Sequence, residues 1–113
     1  MKKKLAKCPA EETLEVIEGR WKVLILWHLF AGTMRFSELR RQLSGVTQKI
    51  LTQQLRQMER DGLVRRKVYA EVPPRVEYSL TALGKSLRPV VDSMCKWGEK
   101  HSQRLLSRPQ KSG

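Results

Sequence analysis

A glycine-containing turn and a helix with both ends marked lie near the middle of the chain, between Ser44 and Leu63. Thr47 is placed to be the N-cap, because its hydroxyl can accept a hydrogen bond from a free backbone N–H. Gly62 is placed where a left-handed residue ends a helix. At about 100° per residue, one side receives Ile50, Leu51, Leu55 and Met58, and the opposite side receives Lys49, Thr52, Gln53, Arg56 and Arg60. The pattern predicts a helix with one side packed in a core and one polar side exposed.

The polar side of this predicted helix carries the groups that match a nucleic-acid groove. Arg and Lys bond to the acceptors of guanine, Gln pairs with adenine, and Thr meets polar base edges or the thymine methyl group. The chain has no asparagine, so an amide that reads adenine must come from Gln48 or Gln53. A solvated helix surface is the competing interpretation. The candidate base-reading residues are Thr47, Gln48, Lys49, Thr52, Gln53 and Arg56.

The flanking segments predict a helix-turn-helix unit followed by a wing. A short helix over 37–43 precedes the turn, and two short helices joined in this way place the second helix in the major groove. Residues 64–69 and 76–80 follow as the strands of a basic hairpin. Pro73 and Pro74 belong in its loop, because proline cannot donate to a sheet ladder.

The charge balance favours a polyanionic partner. Lys and Arg number 23 and Asp and Glu number 11, which gives a net charge of +12. An anionic membrane is a weaker candidate than nucleic acid, because the cations are not gathered on one amphipathic helix. The apolar run Val23–Phe30 is also far shorter than the ~20 residues that span a bilayer. We expect double-stranded DNA as the partner, no membrane contact and a cytoplasmic location.

Cations on the first short helix and on the hairpin are expected to contact the DNA backbone. For the hairpin, the competing interpretation is an edge strand that charge protects from aggregation. The adjoining helix favours phosphate contact. The candidate backbone-contacting residues are Arg35, Ser37, Arg40, Arg41, Arg65, Arg66, Lys67 and Arg75.

The outer segments are predicted to be mainly helical. Pro9 opens one helix, and the segment Arg20–Ala31 is apolar on nearly every side and predicts a buried helix. Thr81 begins a final helix over 81–106, which Pro89 can kink. A short strand near Met34 can pair with the hairpin. We predict an α+β, mainly α, winged helix-turn-helix domain over 9–106, in the order helix, helix, strand, helix, helix, strand, strand, helix. A basic arm at 1–8 precedes it, and a disordered tail at 107–113 follows it.

Apolar residues recur along the final segment in alternating steps of four and three, which is a heptad seam that packs against another helix. No other helix of the chain is free to cover all of it. We therefore predict a homodimer through the first and last helices. The candidate dimerisation residues are Leu14, Leu83, Leu87, Val90, Met94 and Trp97.

Taken together, these motifs resemble those of the HxlR-type winged helix-turn-helix regulators of bacteria, which are similar to MarR proteins. The matching segments are Cys8-Pro9, 19–22, 35–39, 51–55, 61–64, 72–78 and 80–84. The resemblance implies a homodimeric, DNA-binding transcriptional regulator of an inverted-repeat operator, with repression the commoner outcome. It also implies an effector, either an oxidant or electrophile or a small molecule.

Cys8 is the candidate redox residue, because a matching cysteine senses oxidants in several members of the family that the chain resembles. The residues themselves give a thinner case. Lys4, Lys7 and a helix start beside Cys8 favour a negatively charged sulfur, but an inert apolar thiol is an equal alternative. Cys95 is expected to be structural.

The sequence lacks the signatures of several large enzyme classes. It has no glycine-rich phosphate loop, no His-Glu-x-x-His, no Gly-x-Ser-x-Gly and no closely spaced cysteine pair. We expect neither an enzyme, nor a metal site, nor a bound cofactor. Two other functions remain open, a sequence-independent nucleic-acid-binding protein of architectural type and a protein-interaction module that has lost DNA binding.

Overall fold

Residues 8–109 are described by the computed structural model, and their helices and strands follow the predicted order as far as the hairpin. The elements are α1 (Ala10–Ile17), α2 (Trp21–Leu29), β1 (Met34–Arg35), α3 (Phe36–Gln42), α4 (Gln48–Arg60), β2 (Val64–Tyr69), β3 (Arg75–Leu80), α5 (Ala82–Lys85), α6 (Arg88–Lys100) and α7 (Ser102–Leu106). Residues 1–7 of the predicted arm and 110–113 of the predicted tail lie outside the described part.

Helix α4 begins and ends where the sequence predicts. The Thr47 hydroxyl accepts a hydrogen bond from the Ile50 backbone N–H at 3.1 Å. At the other end, Gly62 has φ +79°, in the left-handed region that favours glycine, and its N–H donates to the Glu59 carbonyl. The turn before α4 is closed by the Val46 N–H, which donates to the Leu43 carbonyl at 3.2 Å. These local bonds fix the direction in which α4 leaves α3.

The three strands form one antiparallel sheet in the order β1-β3-β2. Arg66 pairs with Tyr78, and Arg65 pairs with Ser79. Because successive residues of a strand point to opposite sides, Arg66 and Tyr78 share one side of the sheet, and Arg65 and Ser79 share the other.

The core forms between the helices and the side of the sheet that carries Tyr78. Helix α4 contributes Leu51, Leu55 and Met58, each of which is almost completely buried. Each such side chain contributes about 1.5–3 kcal/mol when it is removed from water. The predicted inner side of α4 is therefore confirmed, except that Ile50 lies at its edge and stays partly exposed.

The C-terminal segment differs from the single helix predicted over 81–106, because it is divided into α5, α6 and α7. Proline has no N–H to donate, and Pro89 lies in the first turn of α6, where none is needed. The Leu87 N–H donates to the Gly84 carbonyl, which closes the turn between α5 and α6. A second break follows at His101. The seam residues Leu83 and Leu87 therefore do not belong to the helix that carries Val90, Met94 and Trp97.

Helix α2 also differs from its prediction. Leu26 and Leu29 are buried, but Leu24 and Trp27 are exposed, so one side of α2 is open instead of enclosed.

Candidate nucleic-acid interface

The outward side of α4 presents most of the predicted base-reading residues to solvent. Gln48, Lys49, Gln53 and Arg56 are exposed, and Thr52 is half-buried. Thr47 is exposed too, but its hydroxyl oxygen already accepts a hydrogen bond from the backbone N–H of Ile50. The buried stripe of α4 fixes this outward direction, because the two sides of an amphipathic helix cannot exchange places without exposing the core.

The exposed polar residues of α3 lie next to the start of α4 and form one continuous surface with it. Arg40 Nη1 donates to the Gln48 side-chain oxygen at 3.4 Å, which leaves the Gln48 NH₂ group free to donate elsewhere. Arg41 and Ser37 are exposed beside them. The Arg35 backbone N–H donates to a Glu38 carboxylate oxygen at 2.8 Å and so caps α3. The helix-turn-helix unit thus brings cations and amides together.

A cleft of about 680 Å³ separates α4 from the hairpin. Seven of the predicted DNA-contacting residues border it, namely Arg35, Ser37, Gln48, Thr52, Arg56, Arg66 and Arg75. Glu71 is the one acidic residue among the lining residues in the described part of the chain. Arg56 on the α4 side and Arg66 on the hairpin side therefore give both walls of the cleft a positive charge.

Tyr78 lies at the floor of this cleft. Burial raises the pKa of its phenol above 10.0, and the Arg66 charge opposes that shift. Below pH 10 the side chain therefore stays neutral. Arg66 lies above it, with Nε 3.9 Å from a Glu59 oxygen and both side chains well exposed. Such an exposed pair contributes little free energy, so Arg66 can exchange Glu59 for a phosphate.

Arg75 has a different position from the other cations of the hairpin. Its Nη2 lies 3.2 Å from a Glu71 oxygen, and its Cζ lies 3.9 Å from the centre of the Tyr69 ring. Its buried Nε lies 3.5 Å from a Glu77 oxygen without hydrogen-bond alignment. The Arg75 charge is therefore used inside the hairpin, where it ties the two strands together near the loop.

Three residues of this arrangement, Tyr69, Glu71 and Glu77, escaped the sequence analysis. The signal that could have found them is the register of the hairpin, which pairs Tyr69 with Arg75 and places Glu77 on the same side of β3. Lys67 also lies near Tyr69, with Nζ 4.9 Å from the ring centre. Arg65 and Lys67 are not brought to the cleft, because both point to the side of the sheet opposite to Arg66.

The predicted dimerisation residues are mostly exposed apolar side chains. Leu14, Leu83, Val90, Met94 and Trp97 are exposed, the last by 60% of its surface. Leu87 is half-buried and packs against the core of its own chain. Cys8 and Cys95 are both free and exposed.

The family model described as HxlR-like helix-turn-helix matches residues 16–105. The chain belongs to the HxlR-like helix-turn-helix family. YdeP of Bacillus subtilis (strain 168), an HTH-type transcriptional regulator, is 51% identical over 98 residues, which are 87% of this chain and 77% of that protein.

Solved structures of the redox regulator HypR are also similar to this HxlR-type chain. The reduced form has a TM-score of 0.84 and 48% identity, and the match covers 89% of this chain and 100% of that one. The oxidised form has a TM-score of 0.78 and 52% identity, covering 82% and 96%. The winged helix-turn-helix fold is therefore confirmed, and the chain is a transcriptional regulator of the HxlR type, a family that acts by binding DNA.

Within residues 8–109, no helix is long and apolar enough to cross a bilayer. The same residues hold no cluster of three or more His, Cys, Asp or Glu side chains arranged for a metal ion.

Proposed function

We propose that this HxlR-type regulator is a homodimer that binds an inverted-repeat operator and represses transcription by occluding it. The observation that carries the proposal is that exposed residues of α4 and Arg66 of the hairpin border one cleft. A helix of this kind enters the major groove, and a wing beside it reaches the flanking backbone.

The exposed residues divide into two classes by their chemistry. Gln48, Lys49, Gln53 and Arg56 lie on the helix that enters the groove and set sequence choice. Arg40, Arg41 and Arg66 contact phosphates and set affinity and salt dependence. Arg75 positions the wing, because its charge is already paired within the hairpin.

The apolar side chains of α6 support the homodimer. Val90, Met94 and Trp97 follow one another at helical spacing and are all exposed in the single chain. A second copy packed against them by a twofold axis would bury this surface. Two α4 helices about 34–36 Å apart then meet successive major grooves of an inverted repeat.

Cys8 is the proposed effector site. Its thiol is exposed immediately before α1, and the similar protein HypR is named a redox regulator and has reduced and oxidised forms. Two Cys8 thiols from two protomers can lose two protons and two electrons to a peroxide, which is reduced to water, and form a disulfide. An adduct with an electrophile, or a small-molecule effector, is the alternative.

Selection of bound fragments from random duplex DNA, with and without peroxide, tests the proposal. We expect a pseudo-palindromic consensus with specific binding at least about 10³-fold tighter than random binding. A ratio near one would instead indicate an architectural, sequence-independent protein. The absence of salt-dependent duplex binding would indicate an interaction module.

Cysteine variants test the proposed redox role of Cys8 separately from DNA binding. Peroxide should change the operator affinity of the wild type and of Cys95→Ser, but not that of Cys8→Ser. If Cys8→Ser responds to peroxide as the wild type does, Cys8 is not the sensor, whereas the DNA-binding part of the proposal is unaffected.

A further inference from the structure

A second cationic cleft lies at the end of the sheet opposite to the hairpin loop, where Arg65 pairs with Ser79. It has a volume of about 450 Å³ and is bordered by β2, β3, the loop after α2 and the start of the C-terminal helices. This volume falls within the range of about 300–1,000 Å³ that is usual for small-molecule sites. The cleft shares no lining residue with the one beside α4.

Three cations from three different elements converge on this second cleft. Arg65 comes from β2, Lys85 from α5 and Arg88 from α6. Within residues 8–109, neither Arg65 nor Lys85 has a carboxylate within 4.0 Å, whereas Arg88 lies 3.8 Å from Asp92. Among those residues, no Asp or Glu lines the cleft. Two of the three charges therefore lack a counterion within the described part of the chain.

The remaining lining is apolar with a few hydroxyl groups. Leu29 and Leu80 are buried at the floor, and Phe30 forms part of the wall, with its ring 5.5 Å from Arg88 Cζ. Thr33 and Ser79 add hydroxyl groups at the rim. An apolar floor below a cationic rim matches a molecule that has an apolar body and an anionic group.

We propose that this cleft binds a small organic anion, a carboxylate or phosphate on an aromatic or aliphatic body. The anionic group lies between Arg65 and Lys85, where charge-assisted hydrogen bonds replace water on both cations. The body lies against Phe30 and the two leucines. This site is separate from the DNA-facing side, so its existence does not depend on the proposed operator binding.

Titration of the full chain with phenyl phosphate, followed by amide chemical shifts in NMR spectra, tests the site. We expect saturable shifts at Gly32, Thr33 and Ser79. Inorganic phosphate and benzyl alcohol, which carry only the charge or only the ring, should bind at least about tenfold more weakly, because each loses one class of contact.

Arg65→Gln and Lys85→Gln test the site, and Arg66→Gln is the matched control. Arg65 and Arg66 are neighbours on one strand with side chains on opposite sides, so a general loss of positive charge affects all variants equally. Arg65→Gln and Lys85→Gln should each weaken phenyl phosphate binding about tenfold, and Arg66→Gln should change it less than about twofold. All three side chains are exposed, so folding should be retained.

Three results would overturn the inference. The first is a set of shifts spread over both cationic clefts and reduced equally by all three variants, which indicates general ion attraction. The second is the absence of saturation by phenyl phosphate in the wild type. The third is that phenyl phosphate does not bind to the wild type and that Lys85→Gln binds duplex DNA more weakly and with a smaller salt dependence. The cleft would then be a contact for DNA phosphates.

Discussion

Helices α4 and α6 have the same length, 13 residues each, but they bury different amounts of their surface. Helix α4 places Leu51, Leu55 and Met58 in the core and exposes cations and amides. Helix α6 buries Val91 alone and exposes Met94 and Trp97. The single chain therefore completes the packing of α4, whereas α6 keeps an apolar side that a second copy can cover. We therefore expect the outward side of α4 to keep its shape without a second copy of the chain. The apolar side of α6 should need that second copy to be covered.

The largest effect is expected when the apolar side of α6 becomes charged. Trp97→Glu should convert a dimer into a monomer at micromolar concentration, because a carboxylate would be buried without a partner. Operator affinity should fall at least about 100-fold, since the two half-sites are then bound independently. Sedimentation equilibrium and fluorescence anisotropy measure the two effects. Lys96→Ala, an exposed position of the same helix, is the control and should leave both unchanged. A wild-type protein that is only monomeric at this concentration would contradict the dimer.

A smaller effect is expected on the exposed side of α4. Arg56→Ala should cost roughly 1–3 kcal/mol on a cognate site and relax the preference at one base, as loss of a base contact does. Competition binding with single-base variants of the operator measures both. Arg60→Ala, one turn further along the helix and not bordering the cleft, should change affinity by less than about 0.5 kcal/mol. Equal weakening on all sequences would assign Arg56 to phosphate contact instead.

The stability of the junction between α4 and α5 should depend on one hydroxyl group. Thr81 Oγ1 accepts from the Gly84 N–H at 3.0 Å and donates to the Gly62 carbonyl, so it joins the end of α4 to the start of α5. Thr81→Ala should lower the free energy of unfolding by about 1–2 kcal/mol, and Thr81→Ser should retain most of it. Urea unfolding at fixed protein concentration compares them. Equal loss in both variants would show that the methyl group, and not the hydroxyl, stabilises the junction.

The smallest effect is expected at Arg75. Because its charge is paired within the hairpin, Arg75→Gln should leave the slope of log affinity against log salt concentration unchanged and weaken binding less than about threefold. Arg66→Gln should reduce that slope by about one, because it removes one phosphate contact. A reduction of the slope by Arg75→Gln equal to that of Arg66→Gln would place Arg75 on the DNA backbone.

Local sequence signals predicted the parts of the fold that depend on local bonds. Thr47 and Gly62 mark the ends of α4 because each acts on backbone groups a few residues away. The family resemblance was confirmed as well. The break between α5 and α6 was predicted only as a possible kink at Pro89, because the apolar repeat continues across this residue. Proline starts a helix more readily than it continues one.

The arrangement of the hairpin cations could not be predicted from composition, because it depends on strand register. Arg65, Arg66 and Arg75 look alike in the sequence, yet Arg65 borders the second cleft, whereas Arg66 and Arg75 border the cleft beside α4. Of these two, Arg75 is paired with Glu71 inside the hairpin. Only the pairing of β2 with β3 decides which side of the sheet each cation occupies.

Site-directed photo-crosslinking measures most directly whether α4 and the hairpin contact the same duplex. A photoreactive side chain at Gln53 should attach to bases within a selected half-site, and one at Arg66 should attach to the flanking backbone of that same half-site. The same group at Gln103 of α7 should attach to neither. Crosslinks from Arg66 but not from Gln53, or crosslinks at unrelated positions of the duplex, would contradict the shared interface.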